Sequence, residues 1–200
     1  RPRATETPAT GILTFRDADA PRAQALKRPI GVAWVFSSGG PRGFVHVGAI
    51  KALRELGLAP DLIVGASVGA LVGGLHASGL TAAELESLAL DLQPAGLARW
   101  AVGAQEKLSG SAIADLVRRH AHGSDLSKLA VPMACVATRK RDALTVAFTA
   151  GDLGLAVQAS AAIEGQFAPV RIHGEQFVDA DWYTPLPVRL ARSLGAQRVL

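Results

Sequence analysis

Two hundred residues, 49% apolar and 19% charged, suit one globular domain with a sizeable core and exclude a chain disordered throughout. The single cysteine, Cys135, excludes an intramolecular disulfide and a cysteine cluster for zinc, and the histidines at 46, 76, 120, 122 and 173 lack metal-ligand spacing, so no metal and no cofactor is expected. The net charge of +4 is concentrated in residues 1–28, where six basic groups accompany three acidic ones; the body is nearly neutral, which argues against nucleic acid as a partner and leaves the arm able to touch anionic lipid headgroups.

Residues 1–29, rich in Pro, Thr, Ala and Arg, read as a mostly irregular basic arm apart from Ile12 to Phe15, and the domain is expected to occupy 30–200. The chain starts at Arg1 without methionine. Removal of a leader would account for this, so a bacterial envelope or secreted location is preferred over the cytoplasm. Gly31 to Phe36 is an apolar run of strand length, Ser37 to Gly43 a glycine-rich loop, and Phe44 to Leu56 a helix ended by Gly57. Leu62 to Val64 reads as the next buried strand. Strand, loop, helix and strand make a βαβ unit, hence a parallel sheet with a right-handed crossover.

The second strand runs into Gly65-Ala66-Ser67-Val68-Gly69, a G-x-S-x-G nucleophile elbow: Gly65 and Gly69 permit a sharp turn that exposes the Ser67 hydroxyl at a helix N-terminus. Gly65, Gly69 and Gly73 also form a G-x-x-x-G ladder of the kind that packs membrane helices. The uncharged run between Asp61 and His76 is only 14 residues, however, against the roughly 20 of a span. Close packing within a soluble core remains the other reading of those glycines. The Gly39 loop and the elbow both sit at carboxyl ends of strands, so they line one crevice if the strands are neighbours.

A glycine loop opening a helix can cradle phosphate, yet Ala49-Ile50 follows Gly48 where a Walker loop needs Lys-Ser/Thr, and Ser38 stands where a dinucleotide fingerprint needs its first glycine. An oxyanion hole is the better use: the backbone N–H groups of Gly39 and Gly40 can approach a carbonyl oxygen unobstructed, whereas Pro41 has none to offer.

Thr81 to Leu92 reads as a helix with a Thr81–Glu84 capping box. Gln93 to Gln105 reads as a loop packed on the body or an apolar flap. Ser111 to His120 is helical, Val131 to Thr138 and Leu144 to Phe148 are strands, and Leu153 to Ile163 is a helix of small residues. A hairpin, Val170–Ile172 and Gln176–Asp179, turns at His173-Gly174-Glu175 and ends in Asp179-Ala180-Asp181. Pro185 to Leu194 is a last helix, and an apolar run begins at Ala196. A serine nucleophile needs a base. A histidine in that role would have to be His120, His122 or His173, with its acid upstream.

Ser38-Gly39-Gly40-Pro41-Arg42-Gly43 resembles the G-G-G-x-R-G segment of patatin-like phospholipases, Gly65 to Gly69 matches that family's elbow, and Asp179 stands where its D-G-G/A motif begins. Ala159-Ser160 and Gly165 to Val170 are similar to the segment before that aspartate. The resemblance covers about Ile30 to Leu200 and implies a three-layer α/β/α sandwich around a mainly parallel sheet. It further implies a Ser-Asp dyad hydrolase of lipid acyl esters: Ser67 as nucleophile, Asp179 as base, Gly39 and Gly40 as oxyanion donors, and Arg42 with Gly43 anchoring the loop. Phospholipid or another acyl-ester lipid is the implied substrate, with peripheral membrane contact.

Three departures from the family pattern are Ser38 for the first glycine, Glu164 for a proline, and Asp179-Ala180-Asp181 for D-G-G/A. They keep open a non-catalytic lipid-binding or regulatory protein that retains the fold. Asp181 points to the same side as Asp179 in an extended segment. It either raises the proton affinity of Asp179 by like-charge repulsion or caps the following turn.

Overall fold

The apolar runs pair as parallel strands in the computed structural model, which describes residues 20–26, 29–92 and 110–200 together with the backbone of β1 (Thr5–Thr7) and β2 (Ile12–Phe15). The first strand of the domain is β3 (Val32–Phe36), followed by a 3₁₀ turn over Gly40–Phe44, helix α1 (Val45–Glu55) and strand β4 (Leu62–Ala66). Residues 37–43, expected as a loop throughout, are therefore helical from Gly40 onward. Pro41 favours this, since its missing N–H is no loss in a first turn. Helices α2 (Val68–Ala77), α3 (Ala82–Asp91) and α4 (Ser111–His120) come next. The predicted flap or loop at 93–105 lies outside the described residues. Strands β5 (Met133–Arg139) and β6 (Leu144–Phe148), helix α5 (Leu153–Ser160), strands β7 (Val170–Ile172) and β8 (Glu175–Val178), helix α6 (Val188–Ser193) and strand β9 (Arg198–Val199) complete the order.

The sheet is parallel at its centre, in the order β9-β3-β4-β5, so the two loops expected to share a crevice do follow neighbouring strands. β6 and β8 join β5 antiparallel, β7 pairs β8 antiparallel, and β2 adds to β7 in parallel. The registers on β5 place the site. Ala66, the last residue of β4, lies opposite Val136, and Val178, the last of β8, lies opposite Thr138. Because β6 occupies the other edge of β5 along that stretch, β4 and β8 share one edge and approach each other head-on. The residues that follow, Ser67 and Asp179, are thereby brought face to face.

Side chains alternate across the central strands with the period of two that a pleated strand imposes. Trp34, Phe36, Ile63, Met133 and Cys135 join the large core beneath α1 to α5, while Ala33, Leu62, Val64, Ala134 and Val136 join a smaller one that includes Ala191 of α6. The result is the expected three-layer α/β/α arrangement with unequal helical layers. All ten residues of α2 are buried against the sheet, which explains its lack of a polar face. A Cβ on Gly73 would stand 2.9 Å from the Ile63 side chain, so the glycine ladder packs helix on strand. Among the described residues no helix is long and apolar enough to cross a membrane.

The Thr81 capping box forms in both directions: Thr81 Oγ1 accepts the Glu84 N–H at 3.2 Å and Glu84 Oε2 accepts the Thr81 N–H at 2.8 Å. Cys135 is buried and its thiol is pushed up to about 12 by that burial, which keeps it protonated at neutral pH. The arm read as mostly irregular supplies β1 and β2 to the sheet edge. Farther along, Ala20 enters the core and the Gln24 N–H donates to Thr149 Oγ1 at 2.7 Å, so residues 20–26 pack on the domain.

Candidate active site

Ser67 joins a fully buried strand to a fully buried helix, and the junction forces its backbone to φ 54°, ψ −121°, a conformation that costs a non-glycine residue about 1–3 kcal/mol. The flanking glycines are required by contact. A Cβ on Gly65 would lie 2.5 Å from the Gly69 carbonyl oxygen, and one on Gly69 would lie 2.3 Å from the Phe36 carbonyl oxygen. Ser160 Oγ accepts the Ser67 N–H at 2.8 Å and donates to the Val136 carbonyl, pinning the elbow from α5. Ser160 was visible in the sequence only as part of a matching segment, with no role attached.

The Ser67 hydroxyl donates to Asp179 Oδ2 at 2.6 Å, and both side chains are almost wholly buried. Asp179 is held in place by its own N–H, which donates to the Ala162 carbonyl at 2.9 Å, and by the Asp181 N–H, which donates to Asp179 Oδ1 at 2.7 Å. Burial raises its carboxyl to about 6; the hydrogen bonds from Ser67 and the Asp181 backbone pull the other way, and the negative charge of Asp181 adds the smallest upward push. Desolvation, rather than the charge of Asp181, is therefore the main cause of the rise. The three histidines weighed as bases stand apart from this pair: His120 ends α4, His122 lies 3.9 Å from Glu84, and His173 occupies the hairpin tip at φ 48°.

The glycine loop lies beside the elbow. Gly40, at φ 54°, has open space where a Cβ would stand, and it lines with Ser67 a cavity of about 190 Å³ whose other walls include Val68, Leu71, Ile113 and Phe167. Gly39 immediately precedes it. Gly43 touches the elbow so closely that a Cβ there would stand 2.0 Å from Val68 Cγ1, which makes it the loop's packing anchor. The Arg42 side chain is exposed with no partner among the described residues; its carbonyl accepts the Val45 N–H instead. The loop is also tied at its start. The Ser38 N–H donates to the Pro185 carbonyl at 2.8 Å, the Ser38 hydroxyl donates to Asp181 Oδ1, and His46 Nε2 lies 2.9 Å from the Ser37 carbonyl oxygen.

A strained serine at a helix N-terminus, hydrogen-bonded to a buried carboxylate and opening on an apolar cavity, can attack an ester carbonyl whose acyl part is apolar. No group of histidine, cysteine and carboxylate side chains suited to a metal occurs among the described residues. The Patatin-like phospholipase family matches residues 34–192. An uncharacterized NTE family protein of Mycobacterium tuberculosis is 35% identical over 184 residues, covering 90% of this chain and 48% of that protein. The human patatin-like phospholipase domain-containing protein 6 is 28% identical over 179 residues, covering 84% of this chain and 13% of that one. The chain thus spans about half the length, or less, of these relatives. Among solved structures, VipD from Legionella pneumophila superimposes with a TM-score of 0.49 at 15% identity, covering 78% of this chain and 46% of VipD.

Proposed function

The chain belongs to the patatin-like phospholipase family, and from that premise we propose that it hydrolyses acyl esters of lipids through an acyl-Ser67 intermediate with Asp179 as the only side-chain base. The observation that carries the reading is the 2.6 Å hydrogen bond from Ser67 Oγ to Asp179 Oδ2, with Ser67 in the wall of an apolar cavity.

In the first half-reaction the Ser67 oxygen attacks the ester carbonyl carbon while its proton passes to Asp179. The carbonyl π pair moves onto oxygen, and the Gly39 and Gly40 N–H groups donate to that oxyanion. Collapse expels the alcohol oxygen, which takes the proton from Asp179 and leaves an ester on Ser67. In the second half Asp179 takes a proton from water as the water oxygen attacks the acyl carbon; the fatty acid leaves and Ser67 regains its proton. A carboxyl raised to about 6 is ionised at neutral pH and still a better proton acceptor than an ordinary aspartate near ~3.9. Each oxyanion donor contributes roughly 10²–10³ in rate, which is where a dyad without histidine must find most of its acceleration. The positive end of α2, aimed at the same oxygen, adds to this.

Phospholipids or related acyl-ester lipids presented at a membrane surface are the substrates this reading favours. Release of nitrophenol from short-chain esters tests it: Ser67→Ala and Asp179→Asn are expected to lower turnover by at least about 10³-fold, and a fluorophosphonate is expected to label Ser67 covalently. Wild-type turnover in either variant removes the assignment, and a wild-type protein that is neither active nor labelled supports the non-catalytic lipid-binding alternative.

A further inference from the structure

Two of the three departures from the family pattern meet each other in space. Ser38, which replaces the first glycine of the loop, donates its hydroxyl to Oδ1 of Asp181, which replaces the last small residue of the D-G-G/A motif. The residues are 143 apart in the chain. Glycine at both positions, or glycine and alanine, has no atoms with which to make this bond. From Asp181 the connection continues: its N–H donates to Asp179 Oδ1 at 2.7 Å, while Asp179 Oδ2 accepts from Ser67 at 2.6 Å. One chain of hydrogen bonds, passing through Asp181 and Asp179, therefore connects Ser38 of the glycine loop to Ser67.

We propose that Ser38 and Asp181 are a positioning pair that fixes the glycine loop relative to the Ser67–Asp179 dyad. The physical need is plain. Oxyanion donors act only when held about 2.7–3.1 Å from the developing charge. Gly39 and Gly40 are the residues least able to hold themselves, because glycine populates many backbone conformations, and Gly40 sits at φ 54° with open space where a side chain would stand. Fixing residue 38 limits where the next two N–H groups can point. The Ser38 N–H bond to Pro185 and the Ser38 hydroxyl bond to Asp181 both run to the turn after β8, and that turn is closed by the Thr184 N–H on the Ala180 carbonyl at 2.7 Å. Loop and base are thus attached to the same short segment. The Asp181 carboxylate forms no ion pair among the described residues, so the serine hydroxyl is its partner there.

This inference rests on the catalytic reading, and the test separates the two. Steady-state kinetics on a nitrophenyl ester are compared for Ser38→Ala, Asp181→Ala, Asp181→Asn and the Ser38→Ala/Asp181→Ala double variant. Each single alanine variant is expected to lower kcat about 10-fold with KM within about twofold, since a misplacement well under 1 Å suffices for such a loss. The double variant is expected to lose no more than either single one, the non-additivity of groups that act together. Asp181→Asn keeps an oxygen that can accept from Ser38 and is expected to recover most of the kcat lost in Asp181→Ala. Losses that multiply to about 100-fold, losses confined to KM, or an asparagine variant as poor as alanine each overturn the pairing. A readout independent of turnover is hydrogen exchange at the Gly39 and Gly40 amides. About 10-fold faster exchange is expected in both alanine variants, and unchanged exchange refutes the proposal even if the protein proves not to be an esterase.

Discussion

Replacing Asp179 with asparagine should abolish turnover and, at alkaline pH, make the protein more stable. Asp179 is 3% exposed and its carboxyl is raised by burial to about 6, whereas the unfolded chain holds it near ~3.9. A carboxyl raised from ~3.9 to about 6 means that the native state disfavours the carboxylate by about 3 kcal/mol at pH 8. The sign follows from proton binding. Between pH ~4 and ~6 the native state binds more protons than the unfolded state, so this residue's contribution to stability falls as pH rises through that window and is fully unfavourable above it. Asparagine is a neutral isostere of the protonated form and escapes the penalty. At pH 8 the variant should gain about 3 kcal/mol, or about 6–12 °C in Tm for a domain of this size, and the gain should vanish near pH 4. Thermal unfolding followed by circular dichroism at pH 8, 6 and 4, beside a nitrophenyl ester assay, measures both effects. An asparagine variant no more stable than wild type at pH 8, or a gain that persists undiminished at pH 4, would refute the reasoning.

The same carboxyl predicts that log kcat/KM rises with unit slope on the acid side and levels off above about pH 6, measured with an ester whose own hydrolysis is flat over that range. Asp181→Asn should move that midpoint down only slightly, because burial and not the neighbouring charge is the main cause. Gly69→Ala places a Cβ 2.3 Å from the backbone of Phe36 and should lose about 4 kcal/mol or more in urea unfolding, whereas Gly48→Ala meets nothing within 4 Å at an exposed position of α1 and should gain about 0.5–1 kcal/mol. Ser160→Ala leaves the buried Ser67 N–H and Val136 carbonyl without their partner; a loss of about 1–3 kcal/mol and a lower kcat at unchanged KM are expected, from denaturant melts and initial rates.

The parts of the fold and of this site legible in the sequence are the ones whose cause is local. The elbow could be found because a strand-to-helix reversal demands small residues on both sides of one exposed side chain, and the capping box because its two bonds span three residues. Gly39 and Gly40 stood out because loops that approach a ligand closely exclude side chains. Asp179 is different. No pattern of residues near Ser67 or near Asp179 encodes their contact, which arises from β4 and β8 meeting on one edge of β5, across 112 positions of chain. The family resemblance supplied that assignment. Ser38 and Asp181 were each noticed as a departure, yet their hydrogen bond depends on how the turn after β8 folds back over β3, which periodicity does not report. Arg42 was assigned by its position in the family motif alone: its side chain is exposed with no partner among the described residues, whereas Gly43 packs on Val68.

The placement of the dyad also follows from its own instability. A serine held at φ 54° and a buried carboxylate each oppose folding, so both must be over-determined by surroundings that cannot relax. The chain meets this by seating Ser67 between a strand and a helix that are buried along their whole length, with glycines where any side chain would collide with backbone. In the proposed mechanism the glycine loop cannot be secured in that way, because its amides would have to stay open to substrate. It is tied at its ends, by Gly43 against Val68 on one side and by Ser38 on Asp181 and Pro185 on the other. With the roles proposed above, rigid packing for Ser67 and hydrogen-bonded ties for the glycine loop are two answers to one geometric demand, set by which of the two would have to remain accessible.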